Sequence, residues 1–115
     1  MTENRLPLYA LAAHAAGDFP LQSDWMAANK LESPIARSVH VAVYTAAFVP
    51  VVLSSSWSRR QAAAFLVTIA STHFVIDSRR WSDVVPIWYD QALHVIALAV
   101  AFALADRVGG DRRVE

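Results

Sequence analysis

Four apolar stretches run along the chain, at about residues 6–19, 35–53, 61–78 and 87–107, each closed off by breakers or charges. Pro34 stands just before the second, where proline favours a helix start. Ser58, ahead of the third, has the chemistry of an N-cap. Arg79, Arg80 and Asp83 close the third, Pro86 opens the fourth, and Gly109-Gly110 mark its end. Between the first two stretches, residues 23–30 read as a short amphipathic helix whose Trp25 and Met26 rest on the other helices or at a lipid interface.

The long stretches lack a polar face. Residues 39–53 are interrupted only by His40, Tyr44 and Thr45, and residues 62–76 only by Thr68, Ser71, Thr72 and His73. A soluble bundle lines its outside with Glu and Lys. Here the charges gather at the ends, with Trp57, Trp81 and Trp88 beside them as in an interfacial aromatic belt. A span needs about 20 apolar residues; the fourth stretch comes close and the others are shorter. The expected fold is all-α: a four-helix up-down bundle, transmembrane, with a short amphipathic helix between helices 1 and 2. It forms one domain over residues 1–115, with a loose polar tail from about residue 107.

Composition agrees. Apolar residues make up 56% and charged residues 17%, against about 25% charged in a typical soluble domain. Ala, Val and Leu dominate while Gly is scarce, which favours helix. Ten basic residues balance ten acidic ones, so the basic excess of a nucleic-acid surface is missing and the expected partner is the lipid bilayer. Small residues at 62–64 and 97–105 permit close packing and a homo-oligomer. The N-terminal stretch is a poor signal peptide, because His14 and Asp18 interrupt it. Four spans put both termini on one side with Arg5, Arg59, Arg60, Arg107, Arg112 and Arg113, against Lys30, Arg37, Arg79 and Arg80 on the other. That asymmetry sets a multi-pass protein of the cell (inner) membrane with cytoplasmic termini.

With no cysteine in the chain, a transition-metal site must draw on His and carboxylate. Each long stretch carries one histidine: His14, His40, His73 and His94. Up-down topology brings all four to the same end. Three aspartates repeat the placement, since His14 and Asp18, His73 and Asp77, and Asp90 and His94 are each four residues apart, on one helix face. The spacing predicts an inner tier of imidazoles and an outer tier of carboxylates. On helix 2, Arg37 and Tyr44 flank His40 instead. His14, Asp18, His40, His73, Asp77, Asp90 and His94 are therefore the candidate metal ligands, for a divalent ion: zinc first, then manganese or iron. One ion takes three or four of them; the rest orient ligands or hold a second ion. Ionisable groups at membrane depth are costly and usually functional. Taken alone, each has a plainer role, such as Asp90 favouring the positive end of its helix. Arg79 and Arg80 read as a membrane-flanking pair, and Asp24, Glu32 and Asp83 as loop charges. Gln22 and Gln91 lie beside the site, with capping or loop bonding as their other reading.

The string His14-x-x-Gly17-Asp18-Phe19-x-Leu21-Gln22-x-x-Trp25-Met26-Ala27, then Lys30, His40, Thr72-His73-x-x-Ile76-Asp77 and Asp90-Gln91-x-x-His94, resembles the family catalogued as domain of unknown function 3307. That resemblance covers about residues 11–94. It implies a small multi-span membrane protein of bacteria or phages and points to the same His and Asp positions, without an established activity. The set also looks distantly like small membrane-bound metal-dependent hydrolases. The expected function is a metal-binding integral membrane protein, in its catalytic form a metal-dependent hydrolase at the membrane surface with Asp18 or Asp90 as general base. The alternatives are a metal- or proton-handling protein, or a structural membrane protein, without catalysis.

Overall fold

A computed structural model of the chain describes residues 5–18, 21, 23–30, 32–78 and 87–113, with the side chains at 27, 87 and 110–113 outside that description. Phe19, Gln22, Arg79, Arg80, Trp81, Asp83 and Pro86 likewise lie outside the described residues. The described residues form helices and no strand: α1 (Leu6–Asp18), α2 (Asp24–Asn29), α3 (Pro34–Ala46), α4 (Val49–Ser54), α5 (Arg59–Asp77) and α6 (Ile87–Arg113).

Serines start three of these helices. Ser23, Ser33 and Ser58 accept from the backbone N–H groups of Met26, Ala36 and Gln61, each at 3.2 Å. Such caps satisfy donors that a helix start leaves without partners. Pro34 follows Ser33 in the first turn of α3, where its missing N–H costs nothing. Gln61 completes a capping box, its side-chain oxygen accepting from the Ser58 N–H at 3.1 Å. Its amide nitrogen also donates to the Ala105 carbonyl at 3.1 Å and so ties the start of α5 to the end of α6.

Two helix boundaries differ from the sequence reading. The stretch read as one helix over residues 35–53 divides into α3 and α4. Pro50 has no N–H for the Ala46 carbonyl and its ring crowds that group. The chain tightens at Ala47-Phe48, where the Phe48 N–H donates to the Thr45 carbonyl at 3.0 Å. At the other end, α6 continues through Gly109 and Gly110 to Arg113 instead of stopping before them. Gly109 is buried, and a Cβ there would collide with the Gln61 side-chain amide. This glycine allows α5 and α6 to approach closely; it does not end the helix.

Cross-helix contacts fix the chain directions. Asp18 meets His40 and His14 meets Tyr44, so α1 and α3 run antiparallel. His40 meets His73 while Phe48 meets Phe65, so α3 and α5 do too. Gln61 meets Ala105 while Asp77 meets His94, which makes α5 and α6 antiparallel. α2 lies against α3. One apolar core joins the long elements, with Leu6, Phe48, Val51, Phe65, Ile69 and Leu98 all buried in it. Trp57 also packs there, its ring 4.9 Å from Phe65 and 5.6 Å from Phe102, so it is half-buried instead of facing outward in an aromatic belt. Trp25 and Trp88 do face outward, while Met26 is buried.

The surface inverts the usual distribution. Leu8, Ile35, Leu53, Val67 and Trp88 are between 65% and 79% exposed, while all four histidines and Asp18, Arg37 and Asp77 are buried. A water-soluble domain rarely exposes so much apolar side chain along its helices. Two helical stretches, Pro34–Ser54 and Trp88–Gly109, are long and apolar enough to cross a membrane. At about 1.5 Å per residue they reach about 32 Å, against about 30 Å of bilayer hydrocarbon.

Candidate metal centre

The end of α1 carries His14, Gly17 and Asp18; the first turns of α3 carry Arg37 and His40, with Tyr44 one turn further along; the end of α5 carries His73 and Asp77; and the start of α6 carries Asp90, Gln91 and His94. Antiparallel packing brings these four helix ends together. The two expected tiers merge on α1 and α5. Helix side chains lean toward the N-terminus. Asp18 and Asp77 therefore lean inward, while His40 and His94, on helices that run the other way, lean outward to meet them. Asp90 precedes His94 and leans outward, where its side chain is 23% exposed.

Four donor atoms converge most tightly. His40 Nε2 lies 3.1 Å from Asp18 Oδ1, 3.3 Å from Asp77 Oδ2 and 2.9 Å from His73 Nε2. His73 Nε2 lies 3.5 Å from Asp18 Oδ1 and 3.2 Å from Asp77 Oδ2. All four residues are at most 2% exposed. A tetrahedral ion with bonds of about 2.0–2.2 Å sets its donors about 3.3–3.6 Å apart, and the cluster is already near that size. Its hydrogen bonding is incomplete by itself. In the contact between the two nitrogens only one can donate, and both also face carboxylate oxygens, which only accept. Asp77 Oδ2 makes no well-directed hydrogen bond among the described residues despite its two short contacts. A cation at the centre would satisfy all four atoms, so this buried cluster can hold a metal ion.

Ring stacking aims the imidazoles. Tyr44 stacks on His73 at 3.7 Å between centroids, and His94 stacks on His73 at 4.1 Å. His40 Nδ1 and His73 Nδ1 have no hydrogen-bond partner among the described residues. Packing therefore takes the orienting role that a hydrogen bond on the second nitrogen often plays.

A second group joins the first through shared carboxylates. Asp77 Oδ1 lies 3.2 Å from His94 Nε2, and Asp90 Oδ2 lies 3.5 Å from the same nitrogen. Asp18, Asp90 and His94 also offer ligand atoms within 4.8 Å of one another.

His14 lies beside these donors but its nitrogens are engaged elsewhere. Gln91 Nε2 donates to Asp18 Oδ2 at 2.9 Å, which leaves Gln91 Oε1 to accept from His14 Nε2–H at 3.0 Å. His14 Nδ1 is then an acceptor, and the Tyr44 hydroxyl donates to it at 2.7 Å. Each polarity in this chain follows from a carboxylate being unable to donate. The relay from Tyr44 through His14 and Gln91 turns one oxygen of Asp18 away, so that the other faces His40 and His73. Gln91, which the sequence offered equally as a capping residue, is thus a link in the site.

Sequence reasoning missed Lys30 as a site residue. Its ammonium lies 3.6 Å from Asp18 Oδ1 and 3.8 Å from Asp77 Oδ2, with the side chain 16% exposed. Arg37 holds it there: its Nε donates to the Lys30 carbonyl at 3.0 Å while its guanidinium sits over the Phe74 ring at 5.0 Å. The signal in the sequence was its place in the motif string, as a lone cation at the end of the short helix.

Among curated proteins and solved structures, no significant match to the chain is found. A family model described as protein of unknown function (DUF3307) matches residues 6–109. That match takes in the whole fold except the last turn of α6, and every residue of the cluster, and the chain belongs to this family of proteins of unknown function.

Proposed function

We propose that the protein holds a divalent ion on Asp18, His40, His73 and Asp77 at one end of a four-helix transmembrane bundle, and that it is a hydrolase working at the membrane surface. The observation that carries this reading is the set of buried donor atoms 2.9–3.5 Å apart. Two nitrogens and two oxygens in tetrahedral reach suit zinc ahead of manganese or iron. The apolar exterior of the helices supports a multi-pass protein of the inner membrane with the bilayer as its surroundings. With four protein donors such an ion would have to take a water as a fifth ligand; it would then polarise a scissile group and lower the pKa of that water. In a single-ion centre Asp90, its side chain 23% exposed, is suited to take the proton from an incoming water. Asp18 has both oxygens engaged and serves as a ligand. Conduction through the bundle is disfavoured, because Phe48, Phe65 and Leu98 pack an apolar core behind the cluster.

The test is purification in detergent with elemental analysis of the wild type and of a His40→Ala/His73→Ala variant, followed by assays on phosphomonoesters, phosphodiesters and carboxyl esters. At least one ion per chain, lost in the variant, is expected. A metal-free wild type would overturn the metal reading. Bound metal with no turnover across the panel would overturn the hydrolase reading.

A further inference from the structure

We infer that the centre is dinuclear, with a second divalent ion on His94, Asp90 and the outer oxygen of Asp77, and that the pair binds an anionic oxygen ligand of the phosphate class. The inference rests on the metal reading above, and it follows from three features of the cluster.

The first is the division of Asp77. Its Oδ2 faces His40 and His73 at 3.3 and 3.2 Å, while its Oδ1 faces His94 at 3.2 Å. A buried carboxylate that turns one oxygen to each of two imidazole groups is placed as a bridge. The second is the stacking of His73 and His94, whose centroids are 4.1 Å apart with 24° between planes. Both rings aim Nε2 at Asp77, so ions on the two nitrogens lie side by side at about the stacking distance. Paired catalytic ions are typically about 3.5–4 Å apart. Asp18, within 4.8 Å reach of both Asp90 and His94, closes the second group from the α1 side.

The third is asymmetry of enclosure and charge. The first position has four buried protein donors, the closed pattern of a structural ion. The second has Asp90, whose side chain is 23% exposed, on its outer side, and this leaves a coordination position open. Three carboxylates stand against Lys30 and two divalent ions, which leaves two positive charges. Uncompensated charge in a buried site is costly, so an anion completes the centre. Lys30, 3.6 Å from Asp18 Oδ1 and 3.8 Å from Asp77 Oδ2, sets an ammonium donor beside the same carboxylates.

The probes are Zn²⁺, Mn²⁺ and inorganic phosphate. After Zn²⁺ loading and gel filtration, the wild type is expected to hold two ions per chain and an Asp90→Asn/His94→Ala variant one. One ion per wild-type chain overturns the dinuclear inference and leaves the single-ion reading standing; none overturns both. The Mn²⁺-loaded wild type gives a second reading that needs no variant. A multiline spectrum from an exchange-coupled pair supports the inference, and the six lines of isolated Mn²⁺ contradict it. Phosphate binding to the Zn²⁺-loaded wild type, weakened at least about tenfold in the variant, supports the anion site. No phosphate binding with two ions present overturns that part.

Discussion

Gly17 is where fold and site meet, and replacing it with alanine separates their contributions. A Cβ at this position would lie 2.9 Å from Tyr44 Cδ1 and 3.1 Å from Tyr44 Cα, against 3.4–4 Å for ordinary contact. The ring cannot swing away, since its hydroxyl is on His14 and its face on His73. The Cα cannot move unless α3 does. Alanine gains about 0.5–1 kcal/mol over glycine in a helix, but overpacking a tight contact costs about 1–3 kcal/mol. The clash wins, and a net loss of about 1–2 kcal/mol is expected. Relief requires α1 and α3 to part by roughly half an ångström, well beyond the ~0.2 Å tolerance of a metal–ligand bond. Metal affinity should therefore fall about tenfold to a hundredfold, as when orienting contacts around a site are lost. Thermal unfolding in detergent reads the first effect and competition with a chelator the second. Gly109→Ala is the control. It displaces Gln61 from its capping box at the far end and costs about 1 kcal/mol, with metal affinity unchanged. A Gly17→Ala protein that binds metal as the wild type does would refute the reasoning.

Asp77→Asn removes the carboxylate that faces His40, His73 and His94, and should weaken metal binding at least about a hundredfold in a chelator titration. Tyr44→Phe leaves buried His14 Nδ1 without its donor and should cost about 1–3 kcal/mol, read as a lower melting temperature in detergent; an unshifted melt contradicts the relay. Lys30→Gln takes a cation from beside two ligand oxygens and should tighten Zn²⁺ binding about tenfold, since less like-charge repulsion opposes the ion. Acidification should release the metal, because protons compete for the imidazole lone pairs; a Zn²⁺ affinity that rises as pH falls would contradict His ligation.

Much of the site was legible because helix periodicity is rigid. Four-residue spacing put His14 with Asp18, His73 with Asp77 and Asp90 with His94, and alternating direction carried all of them to one end. The tier assignment failed on α1 and α5 because spacing ignores the lean of side chains toward the N-terminus. His14 was grouped with the ligands because its partners, Tyr44 and Gln91, lie 30 and 77 residues away in sequence. Only cross-helix geometry reveals where its two nitrogens point. Lys30 stood in the motif string but was not placed in the site, for a similar reason: its position depends on how Arg37 anchors α2, which no local pattern encodes. In the fold, Ser58 and Pro34 marked helix starts correctly, since capping is local chemistry. Gly109 misled, because a glycine needed for close approach has the same letter as one that ends a helix.

The most direct measurement is X-ray absorption at the zinc edge on protein purified in detergent after dialysis against metal-free buffer and reloading with Zn²⁺. The expected spectrum shows nitrogen and oxygen donors at about 2.0–2.2 Å, with the outer-shell scattering of at least two imidazoles, and it collapses in the His40→Ala/His73→Ala variant. Zinc that washes away, or a spectrum without imidazole outer-shell scattering, would contradict a metal held by Asp18, His40, His73 and Asp77.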